Sequence, residues 1–143
     1  MTAPKLWTVL NKCHRAVSLL AEQSIAEAGL CLSDFMVLEA LLHKGPLTIT
    51  AIQAKVLLAS GSMTAAVDRV EKKGLVVRKT TPTDRRARLL ELTPEGRRTA
   101  TALFEKHARD LETLMSVLSD AEKQRLYALL KKLGLSAAGT FAK

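Results

Sequence analysis

Three histidines, two cysteines and a surplus of lysine and arginine are the residues here that could do chemistry. His14, His43 and His107 lie in three separate helical patterns, with no nucleophile motif near them. Cys13 and His14 are adjacent, which on a helix turns their side chains about 100° apart and prevents a thiolate–imidazole pair. No Cys/His spacing suits a zinc site and no glycine-rich loop could cradle a phosphate, so no metal, cofactor or catalysis is expected. The cations remain. Lys and Arg number 22 against 14 Asp and Glu, a formal charge of +8, which calls for a polyanionic partner. Aromatic residues are only 3%, leaving few rings to stack on unpaired bases, so double-stranded nucleic acid fits better than single strands or RNA. A lipid surface fits less well, because the cations gather between residues 69 and 88 and not along one face of an amphipathic helix.

Those cations need two elements to present them. From Ser60 to about Lys73, Met63, Val67 and Val70 fall on one side when wound at 3.6 residues per turn. The other side presents Gly61, Ala65, Asp68, Arg69 and Lys72, flanked by Ser62 and Thr64. Tiny and hydroxylated residues at the front (Ser60, Gly61, Ser62, Thr64, Ala65) let such a helix approach base edges closely, while Arg69 and Lys72 reach phosphates. Asp68 would be repelled by DNA and is expected to orient Arg69 or a nearby backbone group. After Gly74 the period changes. Leu75–Thr80 and Arg88–Leu92 read as two strands around a polar, basic loop, Thr81 to Arg86. Arg78, Lys79, Arg85, Arg86 and Arg88 concentrate charge there, as an arm entering a narrow minor groove would.

The surrounding pattern is helical. Pro4 opens a helix to about Glu27, with Leu6, Leu10, Cys13, Val17 and Leu20 as its apolar stripe and Gly29 beyond it. Ser33 is positioned to cap a second helix ending at Gly45-Pro46, and Thr48 leads into a short third. Leu57–Ala59 connects it to the fourth. Thr93-Pro94 pairs a capping hydroxyl with proline at the first helical position and starts a long helix to about Leu118. Ser119 to Glu122 is a capping box for a last helix stopping at Gly134, with a frayed tail after Leu135. The expected class is mainly α (α+β). With 143 residues, no repeat and no linker, one domain over 1–143 is expected.

Helix, short helix, turn, helix and hairpin make a winged helix-turn-helix. The run Val67-Asp68-Arg69-Val70-Glu71-Lys72-Lys73-Gly74-Leu75-Val76, then Arg78, Asp84-Arg85-Arg86 and Leu92-Thr93-Pro94-Glu95-Gly96, resembles the MarR family of bacterial regulators over nearly the whole chain. Leu57 stands where that family often has glycine, and Ala65 where its recognition helix often carries a larger polar residue. The resemblance implies a transcriptional regulator, commonly a repressor, with a DNA-binding core over 33–93 and dimerisation helices over 4–28 and 94–135. It implies that Asp84 and Arg86 brace the wing while Arg85 meets DNA.

Leu6, Leu10 and Val17, with Leu126, Leu130 and Leu133, would leave an apolar surface that a second copy should cover. An effector is expected near the first two helices, with Trp7, His14, Phe35, Met36 and His43 as lining and a small phenol or aromatic acid as the class the resemblance implies. Sensing of an oxidant or quinone through Cys13 is the rival that the resemblance implies. Cys13 shares the stripe of Leu10 and Val17, which also fits a small buried hydrophobe, and neither it nor Cys31 has evident cationic support. Unpaired cysteines, and the lack of a secretory leader or an apolar run of about 20 residues, suggest the cytoplasm.

Overall fold

Proline, glycine and hydroxyl side chains divide the chain into helices and strands, and the few departures have local causes. The computed structural model describes residues 1–56, 60–83 and 88–141, which form two compact units, 1–108 and 109–143. In the first, α1 (Ala3–Ala26) has Pro4 in its opening turn, and Gly29 beyond its end adopts a φ of 73°. α2 (Leu32–Lys44) begins one residue earlier than its expected cap: Cys31, not Ser33, is the N-cap residue. The Asp34 carboxylate accepts the Cys31 backbone N–H at 3.2 Å, so the stronger acceptor three residues on decides the start. Gly45, at a φ of 77°, closes α2 by donating to the Leu41 carbonyl.

A two-residue strand, β1 (Leu47–Thr48), comes next and is too short to show a period in the sequence. Thr48 also caps α3 (Ile49–Val56), its Oγ1 accepting the Ala51 N–H at 3.1 Å. The predicted connection Leu57–Ala59 lies outside the described residues. α4 (Ser60–Lys72) follows, then β2 (Val76–Thr80) and β3 (Arg88–Leu92). The sheet is antiparallel with order β1-β3-β2, pairing Leu47 with Leu90 and Val76 with Leu92. Instead of two strands there are three, the extra one drawn in by β3's second edge.

One apolar core joins these elements: Ile25 of α1, Phe35, Val37, Leu38 and Leu41 of α2, Ile52 of α3, Met63, Ala66, Val67 and Val70 of α4, and Leu90 and Leu92 of β3. Burying a side chain such as Phe35 contributes about 2–3 kcal/mol. α5 (Pro94–Met115) adds Ala100 and Leu103. Its start is tied down by Thr93, whose Oγ1 accepts the Gly96 N–H at 2.9 Å and donates to the Gly74 carbonyl at 2.7 Å.

In the second unit α5 ends at Met115, three residues short of expectation. The Ser119–Glu122 capping box forms as expected, and its hydrogen bonds lower the Glu122 pKa. α6 (Asp120–Phe141) does not stop at Gly134. That glycine lacks the positive φ a helix stop requires, and Leu135, Ala137 and Ala138 after it are good helix formers.

Candidate nucleic-acid interface

α4 has two unlike sides. Met63, Ala66, Val67 and Val70 are fully buried. Gly61, Ser62, Thr64, Ala65, Asp68 and Lys72 are exposed. The exposed side is nearly free of bulk over its first turn and a half, so its backbone could come close to a groove floor. Ser60 opens the helix.

The cations divide by how the fold engages them. Arg69 turns toward α2. Its Nε donates to Asp34 Oδ1 at 2.8 Å, and its Nη2 to Ser33 Oγ at 3.1 Å and Cys31 Sγ at 3.3 Å. The Asp34 side chain is only 3% exposed, so this is a partly buried charge pair. Hydrogen bonding to Asp34 raises the Arg69 pKa, against a smaller opposing effect of burial. Arg78, on β2, reaches back to α4 and pairs with Asp68 at 2.5 Å and Glu71 at 2.9 Å. Asp68 therefore serves Arg78 and not Arg69, because β2 runs directly behind that edge of α4. Lys79 pairs with Glu91 of β3 at 2.8 Å. Among the described residues, Lys72 and Arg88 have no ion-pair partner, and both are exposed. Asp84, Arg85 and Arg86, the predicted bracing and tip residues, lie outside the described residues.

Sequence reasoning missed Asp34, Glu71 and Glu91 as partners of these cations. Glu71 and Arg78 are seven apart, and Lys79 lies diagonally across the hairpin from Glu91, whose direct partner is Val77, so chain proximity and register could have suggested them. Asp34 and Arg69 are 35 apart, and only the close packing of α2 on α4 joins them.

The effector candidates are scattered. Phe35 is 1% exposed and meets the His107 ring edge-on at 5.2 Å, so it belongs to the core and cannot line an open cavity. His43 packs against Phe104 at 4.6 Å. Met36 is half-buried, while Trp7 and His14 lie on the exposed surface of α1. A cleft of about 410 Å³ is lined by Glu22, Ala26, Leu30, Cys31, Leu32 and Ser33, and another of about 520 Å³ runs along α5 from Pro94 to Glu105. None of the six predicted effector residues, Cys13 among them, lines either. Cys13 is exposed, against the buried reading of its stripe. Cys31 has, in Arg69, the cationic neighbour that sequence alone did not reveal. No group of His, Cys, Asp and Glu among the described residues could hold a metal ion, and no helix is long and apolar enough to cross a membrane.

The model of the MarR family matches residues 30–87, from the turn before α2 to the hairpin loop. The HTH-type transcriptional regulator MhqR of Bacillus subtilis is 39% identical over 133 residues, covering 93% of this chain and 92% of that one. Among solved structures, a mutant MarR from E. coli complexed with operator DNA superposes with a TM-score of 0.82 at 24% identity, covering 90% of this chain and 93% of that one. BpsR of Bordetella bronchiseptica, whose DNA binding is regulated by 6-hydroxynicotinic acid, gives 0.81 at 22% identity, covering 89% and 91%. An α4 with a bare outward face beside a two-stranded wing, together with a close relative spanning nearly its whole length, makes this chain a member of the MarR family of winged helix-turn-helix, DNA-binding transcriptional regulators.

Proposed function

We propose that this chain acts as a homodimeric repressor on a pseudo-palindromic operator, with half-sites about one helical turn apart. The observation that carries the reading is the exposed, small-residue front of α4, Gly61, Ser62, Thr64 and Ala65, set opposite four fully buried residues of the same helix. Gly61, Ser62, Thr64 and Ala65 meet base edges, Lys72 and Arg88 contact phosphates, and Arg85 enters the minor groove. Arg69, Arg78 and Lys79 support the surface from behind. A repressor acting on chromosomal operators would work in the cytoplasm.

A second copy accounts for the apolar residues left on the surface. Leu6 and Trp7 of α1 are exposed, as are Leu126, Leu130 and Leu133 of α6, while Leu10 and Val17 are half-buried. Soluble monomers rarely leave such stripes uncovered.

Release is by a small phenolic or aromatic acid that favours a dimer geometry unable to span two half-sites. Regulation of the fold neighbour BpsR by 6-hydroxynicotinic acid, a small aromatic acid, supports that class. The rival is release by an oxidant or quinone acting on a thiol. The exposure of Cys13 keeps it open, and the Arg69 contact favours Cys31, since a cation stabilises a thiolate.

A footprint on DNA selected by the protein from a random pool, with sedimentation of the free protein, tests the main reading. It expects two protected half-sites and a dimer; a monomer that protects a single half-site refutes it. Gel shifts with hydroxylated aromatic acids, and with peroxide on the wild type and on Cys13→Ser and Cys31→Ser, separate the two release mechanisms.

A further inference from the structure

Arg69 near the end of α4 and Lys73, the first residue beyond it, lie four residues apart and both reach the stretch that leads into α2. Arg69 holds Asp34, Ser33 and Cys31. Lys73 Nζ donates to the Gly29 carbonyl. The segment is firmly built where they attach. Gly29 sits at a φ of 73°, a conformation that few residues other than glycine adopt readily. Asp34 spends its second oxygen on the Cys31 backbone N–H. Two cations four residues apart thus grip one short stretch, residues 29–34, at both ends.

We infer that Arg69 and Lys73 are positioning residues that set the pitch at which α4 presents its front, and that Arg69 is not a phosphate contact. This rests on the reading of α4 as the DNA-reading helix. The core fixes one line of α4, through Met63, Ala66, Val67 and Val70, but apolar contacts resist rotation about that line only weakly. Directional bonds at a distance from it resist rotation much better. Asp34 adds a penalty for leaving: a carboxylate that is 3% exposed loses its charged partner if α4 rolls away. Lys73, by neutralising no carboxylate, contributes direction at the far end of the helix. The consequence is a division of labour along α4. Arg69 and Lys73 lock the helix to residues 29–34, and the front, Gly61 to Ala65 with Lys72, is left for DNA.

The deciding variant is Asp34→Asn, which removes no cation and lies away from the exposed front. The probes are a duplex selected by the wild-type protein from a random pool and a scrambled duplex of the same length, titrated over a range of salt. Variants are compared well below their melting temperatures, with helix content checked by circular dichroism. If Arg69 and Lys73 position α4, Asp34→Asn and Lys73→Met each lower the preference for selected over scrambled duplex by roughly tenfold, about the cost of misreading one base pair. Arg69→Gln does the same and leaves the slope of log affinity against log salt unchanged. A merely stabilising pair would move the melting temperature and leave the preference of the folded protein intact, which overturns the inference. So does an Arg69→Gln slope reduced by about 0.9 with selected and scrambled duplexes weakened alike, the mark of a lost phosphate contact. Should Asp34→Asn fail to fold, Lys73→Met decides alone. A wild type with no preference for any duplex refutes the DNA reading itself, and this inference with it.

Discussion

Gly96→Ala is expected to destabilise the protein even though alanine is the better helix former. Gly96 lies in the first turn of α5 and is buried. A Cβ added there would stand 1.8 Å from the carbonyl oxygen of Leu75 and 2.7 Å from its carbon, where anything under 3.0 Å forces a shift. The obstacle is backbone and is held on both sides. Leu75 N–H donates to the Val70 carbonyl at 3.0 Å, and the Leu75 carbonyl accepts from Thr93 N–H at 3.0 Å. The start of α5 must therefore retreat, drawing Ala100 and Leu103 out of the core. Overpacking of this kind costs about 1–3 kcal/mol, and a backbone clash belongs at the upper end. Glycine-to-alanine helix propensity returns about 1 kcal/mol. The net loss is about 2 kcal/mol, or a fall in Tm of roughly 5–10 °C for a chain of this size. Thermal unfolding followed by circular dichroism at one fixed protein concentration measures it, since any dimer makes Tm depend on concentration. An unchanged or higher Tm would mean that α5 does not approach Leu75 this closely, and the account of the hairpin–α5 junction would be wrong.

Thr93→Ala removes both the cap on Gly96 and the bond to the Gly74 carbonyl, and should cost about 1–2 kcal/mol in urea unfolding, with Thr93→Ser largely restored. Arg78→Gln strips the cation from Asp68 and Glu71, leaving two unpaired carboxylates on α4. Because surface pairs contribute at most about 1 kcal/mol, stability should hardly change while gel-shift affinity drops, and adding Asp68→Asn should recover part of it. Leu130→Glu puts a charge into the exposed stripe of α6 and should give a monomer in sedimentation that no longer holds a two-half-site duplex, with the unmodified α4 still folded. A Leu130→Glu protein that stayed dimeric would move the interface elsewhere.

How much of this was legible in the sequence depended on the range of the interaction. Caps, breakers and stripes act within four residues, so the Thr93 and Ser119 caps, the Gly45 stop and the split of α4 into two faces could all be read from spacing. Errors arose where a local signal met a competitor. Ser33 was a good cap on its own, but Asp34 captured the Cys31 N–H. Gly134 was a good stop on its own, but alanines on its far side carried the helix on. β1 carried no signal because two residues have no period; its partner strand β3 supplies the reason for it to exist.

Charge was the least legible of all, for a reason that bears on recognition. A net charge of +8 counts Arg69, Lys72 and Arg78 alike. The fold does not. Arg69 is committed to Asp34, Arg78 to Asp68 and Glu71, and Lys79 to Glu91, each by an ion pair. Three of those four pairs bind α4 to its neighbours, one to α2 and two to β2, while the fourth joins the two strands of the hairpin. Cations spent in this way add little to attraction at long range, since each is cancelled within 3 Å by its own carboxylate. What they add is rigidity at the surface that must match a groove. On the proposed reading of α4, affinity for any duplex would fall to unpaired cations such as Lys72 and Arg88, and choice of sequence to a small-residue front whose aim the paired arginines hold. Removing an unpaired cation should therefore weaken all DNA alike, and breaking a pair should blur the choice among sequences.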